Sequence, residues 1–122
     1  MIGYVTIGVS DMEKGKAFWS GLLEPLGAKV LMDIGRLAFI GTGMDQPILA
    51  VCTPHNEQPA SSGNGNMVAL QAGSREKVDE FYARALELGA TDEGPPGERM
   101  PGFYGGYFRD PDGNKAVFFQ MG

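Results

Sequence analysis

The chain is written twice. Tyr4-Val5-Thr6-Ile7-Gly8-Val9-Ser10 leads into a helix-like stretch from Asp11 to Leu26 and leaves it at Gly27-Ala28. Met67-Val68-Ala69-Leu70-Gln71-Ala72-Gly73 leads into a second such stretch from Ser74 to Leu88 and leaves it at Gly89-Ala90. The aromatic pairs Phe18-Trp19 and Phe81-Tyr82 occupy the same place in each copy. A strand, a helix and a Gly-Ala exit recurring at one spacing describe two similar supersecondary units packed together. The seam between them is then the first place to look for function.

The repeat divides the 122 residues into a module over 1–53, a polar connection over 54–65 and a module over 66–122, together one domain. With 43% hydrophobic residues the chain has apolar surface enough for a core. A formal charge of −5 and a pI near 4.7 disfavour nucleic acid and anionic membrane as partners, since both demand a basic footprint. No window offers the roughly 20 consecutive apolar residues of a membrane helix, and the start Met1-Ile2-Gly3-Tyr4 has no basic flank of a secretory leader. A cytoplasmic protein is expected. Cys52 stands alone, which excludes an internal disulfide and a multi-cysteine zinc site.

Alternation in the first strand sends Val5, Ile7 and Val9 to one face and Tyr4, Thr6 and Gly8 to the other. Ser10 with Glu13 has the form of a capping box. Gly15, Phe18, Trp19, Leu22, Leu23 and Leu26 then make a helical stripe that Pro25 ends or tightens. Three strands follow, over 28–34, 36–41 and 47–53, the first two joined by a tight turn at Gly35. In the second copy a strand over 66–72 precedes Ser74 as N-cap, and Val78, Phe81, Tyr82 and Ala85 share one helix face. The stretch 91–102, with Gly94-Pro95-Pro96-Gly97, reads as loop-prone and as an interruption of a strand. A hairpin closes the module, with strands over 103–109 and 115–121 and Asp110-Pro111-Asp112-Gly113-Asn114 as its turn. Each module is thus β-α-β-β-β, which predicts an α+β fold with helices on one face of curved sheets.

On these residues the chain resembles the vicinal-oxygen-chelate superfamily, the glyoxalase/bleomycin-resistance/dioxygenase fold. The likeness spans the paired modules, Val9-Ser10-Asp11 opening the first helix, and Phe108-Arg109-Asp110-Pro111-Asp112-Gly113-Asn114 before the last strand. The resemblance implies two four-stranded sheets bent into an eight-stranded cup, often holding a divalent metal on His, Gln or Glu. Carried across, the first-strand ligand positions fall on Tyr4 and Met67 and the last-strand Glu on Val117. None supplies the donors that family metals use. The one histidine, His55, lies beside the connection, and a site from His55 with Glu57 or Glu98 would rest on loops. No metal or other cofactor is expected.

If Tyr4 faces the cup, so do Thr6, Gly8, Met67, Ala69 and Gln71, and by the same parity Lys115, Val117 and Phe119 of the last strand. These side chains either line an apolar, aromatic pocket or fill the space between sheets. Tyr107 and Arg109 share a face and either hold a ligand carboxylate or leave Arg109 to pair with Asp110, Asp112 or a helix carboxylate. Arg36 is a second candidate for an anion at the rim, and His55 either reaches a ligand there or sits at the surface. Cys52 with His55 has the makings of a nucleophile and base, against the plainer reading of a small buried strand residue. Asp110, Asp112 and Gly113 are turn chemistry.

The expectation is a metal-independent small-molecule-binding protein, working as a homodimer, similar to the drug-sequestering bleomycin-resistance members. The alternative implied by the family is a metal-dependent glyoxalase-type lyase or isomerase, or a dioxygenase, on a small oxygenated metabolite.

Overall fold

The computed structural model describes residues 1–122 and resolves into two compact units, Met1–Ser62 and Gly63–Gly122. The division falls inside the polar connection of the sequence.

In the first unit β1 (Tyr4–Gly8) leads to α1 (Met12–Leu23), a short 3-10 turn (Glu24–Leu26), and β2 (Lys29–Asp33), β3 (Leu37–Gly41) and β4 (Ile48–Cys52). The helix opens one residue later than the capping box implies. Asp11, not Ser10, is the N-cap, and its carboxylate accepts the Lys14 N–H at 3.0 Å. A carboxylate at that position also meets the partial positive charge of the helix start. At the other end Pro25 brings no amide hydrogen, and the chain tightens into the 3-10 turn before Gly27 closes it. The sheet order is β1-β4-β3-β2, with β1 parallel to β4 and the other pairs antiparallel. α1 packs on β2, β3 and β4 with Phe18, Trp19, Leu22 and Leu23 buried. The opposite face carries a second cluster, Phe39, Ile48 and Ala50, joined by Leu31 and Leu37. Lys16 ties helix to sheet through Asp33 at 2.6 Å; that bond raises the ammonium pKa and lowers the carboxyl pKa.

The second unit repeats the plan. β5 (Val68–Gln71) leads to α2 (Arg75–Glu87), then β6 (Thr91–Met100), β7 (Phe103–Arg109) and β8 (Lys115–Met121), in the sheet order β5-β8-β7-β6. Ser74 caps α2, accepting from Lys77 N at 3.1 Å. Val78, Phe81, Tyr82 and Ala85 of α2 are buried, as are Phe108 and Phe118 of the sheet on which α2 packs.

β6 corrects the reading of 91–102 as interrupted. The strand runs unbroken through Gly94-Pro95-Pro96-Gly97, absorbing these residues in register shifts between Asp92 and Gly94, Gly94 and Gly97, and Glu98 and Met100. Its place explains the tolerance: β6 is an edge strand, where a proline's missing N–H need not leave a neighbouring strand without a donor.

Tyr82 donates its hydroxyl to Asp92 at 2.6 Å, bridging α2 and β6. Burial first, and then that bond, push the phenol up to about 12. The phenol of an unfolded chain ionises near 10, so the native contribution is complete below that value. As pH climbs from about 10 to about 12 the unfolded state sheds the proton while the native state keeps it. Stability therefore falls across that window, and Tyr82→Phe is expected to flatten the fall. Urea melts of both proteins on either side of the window read the difference; parallel pH profiles would refute it.

Candidate functional site

Six of the residues singled out in the sequence (Tyr4, Thr6, Gly8, Arg36, Cys52 and His55) come together in the first unit. Tyr4, Thr6 and Gly8 of β1, Arg36 and Leu37 at the start of β3, and Cys52 at the end of β4 line one wall of a cleft of about 550 Å³. Strand register builds this wall. Gly8 and Leu37 both pair with Cys52, and Thr6 pairs with Ala50. Tyr4 stands at the far end, its ring edge-on to Phe39 at 5.1 Å.

The opposite wall is the segment from Pro54 to Ser61, contributing Pro54, His55, Asn56, Pro59, Ala60 and Ser61. It is folded, not slack. Glu57 N–H donates to the Pro54 carbonyl at 3.0 Å, and the Asn56 side-chain oxygen accepts Gln58 N–H at 3.0 Å. The segment returns over β1 closely enough that a Cβ on Gly8 would stand 3.1 Å from Ala60 Cβ. Only the absence of a side chain at Gly8 lets the two walls approach so far.

Arg36 joins strand and segment. Its carbonyl accepts Thr53 N–H at 3.1 Å, and its Nη1 donates to the Thr53 carbonyl at 2.9 Å. No carboxylate lines the cleft. His55 is exposed, and Cys52, half-buried, shares the lining with it.

The other candidates lie in the second unit. Met67 precedes β5 and is exposed, as is Gln71 at its end. Val117 is fully buried in β8, paired with Ala69 and Tyr107. Phe119 stacks on Phe103 at 5.5 Å. Tyr107 has the Arg99 guanidinium 5.3 Å and the Lys115 ammonium 5.5 Å from its ring centre. Arg109 pairs with Glu93 at 3.1 Å, holding that carboxyl below its usual range, and also donates to the Gly113 carbonyl at 2.8 Å. Its partner is thus a strand carboxylate that the sequence reading did not consider.

Pro54, Asn56, Pro59, Ala60 and Ser61 also line the cleft, although their polar, Pro-rich composition reads as a connection. The available signal was Gly8: a glycine at the end of an alternating strand marks a place where another backbone comes close.

The fold and this site define an α+β protein of two β-α-β-β-β units with a small-molecule-sized cleft in the first. The family model of the Glyoxalase/Bleomycin resistance protein/Dioxygenase superfamily matches residues 1–118, and the chain belongs to that family. A glyoxalase/bleomycin resistance protein from Albidiferax ferrireducens T118 is 36% identical over 100% of this chain and 99% of its own, with a TM-score of 0.89. The fold is shared with lactoylglutathione lyase from Agrobacterium tumefaciens (20% identity, 98% and 92% coverage, TM-score 0.71). It is shared too with fosfomycin resistance protein FosX from Mesorhizobium loti (19% identity, 100% and 92% coverage, TM-score 0.73). No curated protein sequence matches the chain.

The family implies a divalent metal, and the donor set here does not fit one. The ligand positions carried onto this chain hold a phenol, a thioether and an isopropyl group, the last with no exposed surface. Nowhere do three or more His, Cys, Asp or Glu side chains stand together to hold a metal ion. Hard divalent ions in proteins are held by carboxylate, carbonyl or imidazole donors.

Proposed function

We propose that this chain is a metal-independent small-molecule-binding protein whose ligand sits in the cleft of the first unit. The observation that carries the reading is the cleft itself. Its volume of about 550 Å³ lies within the size of small-molecule pockets, and it sets a few polar groups (Thr6, Arg36, His55) against Tyr4, Leu37 and two prolines. The names of related structures, one a fosfomycin resistance protein, point to small molecules as the family's concern. The donor set described above supports binding without a metal.

The test is a thermal-shift screen of small metabolites and drugs on chelator-treated protein. Anything that binds only the native state raises the melting temperature in proportion to ln(1 + [L]/Kd). Hits are expected without added metal. Gly8→Val, whose side chain would grow toward Ala60 and into the cleft, should abolish those shifts while costing about 1–3 kcal/mol of stability. Binding or turnover that appears only when zinc, nickel or manganese is restored would sink the reading.

A further inference from the structure

We infer that the ligand of this cleft carries a carboxylate, received side-on by Arg36, and that the Pro54–Ser61 segment is the reading wall of the site. The inference rests on the cleft as the binding site and adds the chemistry of what enters it.

Three observations converge. The Thr53 carbonyl takes Nη1 of Arg36 and so fixes one end of the guanidinium, while Nε and Nη2 have no partner in the chain. Those two N–H groups form the edge of the fork that matches both oxygens of a carboxylate. Next, the protein as a whole carries −5, yet none of the residues lining the cleft is acidic. Arg36 is the only fully ionised side chain lining it, so the cleft favours an anion against the sign of the rest of the molecule. The exposed ring of Tyr4, with Leu37, Pro54, Pro59 and Ala60, offers the remaining surface to an apolar, flat body. Thr6 Oγ1 and the His55 ring nitrogens likewise have no hydrogen-bond partner within the chain and stand available to a ligand. A cationic drug finds no counter-charge here.

The occupant is therefore a small aromatic or otherwise flat carboxylic acid. Arg36 holds its charge, and the segment after β4 covers its body. Arg36 is itself exposed, so water screens the pair and the charge preference stays moderate.

Amide NMR spectra titrated with benzoate, benzamide and benzylamine separate the possibilities. These probes share a ring and differ in charge. Benzoate should move the amides of Thr6, Arg36, Thr53 and His55 and bind about threefold or more tightly than either of the others. Arg36→Gln should bring benzoate down to the affinity of benzamide without altering benzamide. Arg36→Lys, which keeps the charge and loses the fork, should fall between. Dispersed spectra of both variants certify that they are folded. Benzylamine or benzamide binding as tightly as benzoate, or benzoate indifferent to Arg36→Gln, would overturn the carboxylate and leave the cleft as a binding site. Failure of all three probes to move any cleft amide would overturn both.

Discussion

Phe118→Ala is expected to remove about 3–5 kcal/mol of stability, a large part of what a domain of this size possesses. The side chain has no exposed surface, and its ring lies 5.4 Å from Phe81 and 5.5 Å from Phe108. Those contacts join α2, β8 and β7 at one point, so truncation removes the transferred apolar area and the aromatic pairings and leaves a cavity beside the Phe81 and Phe108 rings. β8 lies between β5 and β7 and cannot shift inward to close it. Urea unfolding followed by far-ultraviolet circular dichroism should show a lower midpoint with an unchanged slope. A loss below about 1 kcal/mol would mean that the site collapses freely, and the packing described here would be wrong. Phe118→Leu, which keeps much of the volume, should cost less.

Asp110→Ala is expected to cost about 2–4 kcal/mol although the residue sits in a turn. Its carboxylate accepts Asp112 N–H at 3.0 Å, Asn114 N–H at 2.7 Å and Asn114 Nδ2 at 2.9 Å, and the residue is 3% exposed. Alanine strips the shared acceptor from three donors, one of them on a side chain that is itself buried. Hydrogen bonds to an ionised group are the stronger kind, and orphaned buried donors cost more than the bond was worth. Asp110→Asn keeps one acceptor but turns an amide toward the Asn114 amide, so it should recover only part of the loss. Hydrogen exchange of β7 and β8 amides, compared with a global melt, measures both variants. A native-like Asp110→Ala would show that Gly113, at φ 87°, forms the turn without the carboxylate.

These two residues mark how far the sequence could be read. Asp110-Pro111-Asp112-Gly113-Asn114 announces a turn by composition, and the chemistry of those residue types needs no tertiary knowledge. Phe118 lies in the strand that this turn announces, and register then decides what its face meets. Seven of the eight strands and both helices follow from such local signals, down to the early end of α1 before Pro25. Where local signals compete, sequence reading falters. Ser10 and Asp11 both cap well, and the difference lies in backbone geometry at a single residue. Pro95-Pro96 reads as a break unless the strand is known to be an edge, which only the sheet order reveals.

The cleft was half legible. Period-two alternation placed Tyr4, Thr6 and Gly8 on one face, and Gly35 set Arg36 at the mouth of a strand. The second wall has no periodicity to read. Its position comes from turn hydrogen bonds at Pro54 and Asn56 and from the close pass over Gly8, which exist only once the sheet is built. Arg109 illustrates the converse, since its partner Glu93 lies 16 positions away on the neighbouring strand.

The sheet orders carry one more consequence. In each unit the last strand made, β4 or β8, slots between two strands synthesised before it. During translation each unit therefore passes through a stage in which three strands and a helix exist around an empty central place. Two unpaired edges then face each other across it, a template for stray β-pairing. Synthesis order thus makes the completion of each unit abrupt and its unfinished form vulnerable. A chain cut before residue 48 or residue 115 lacks the strand that holds the sheet of that unit together, and is expected to aggregate.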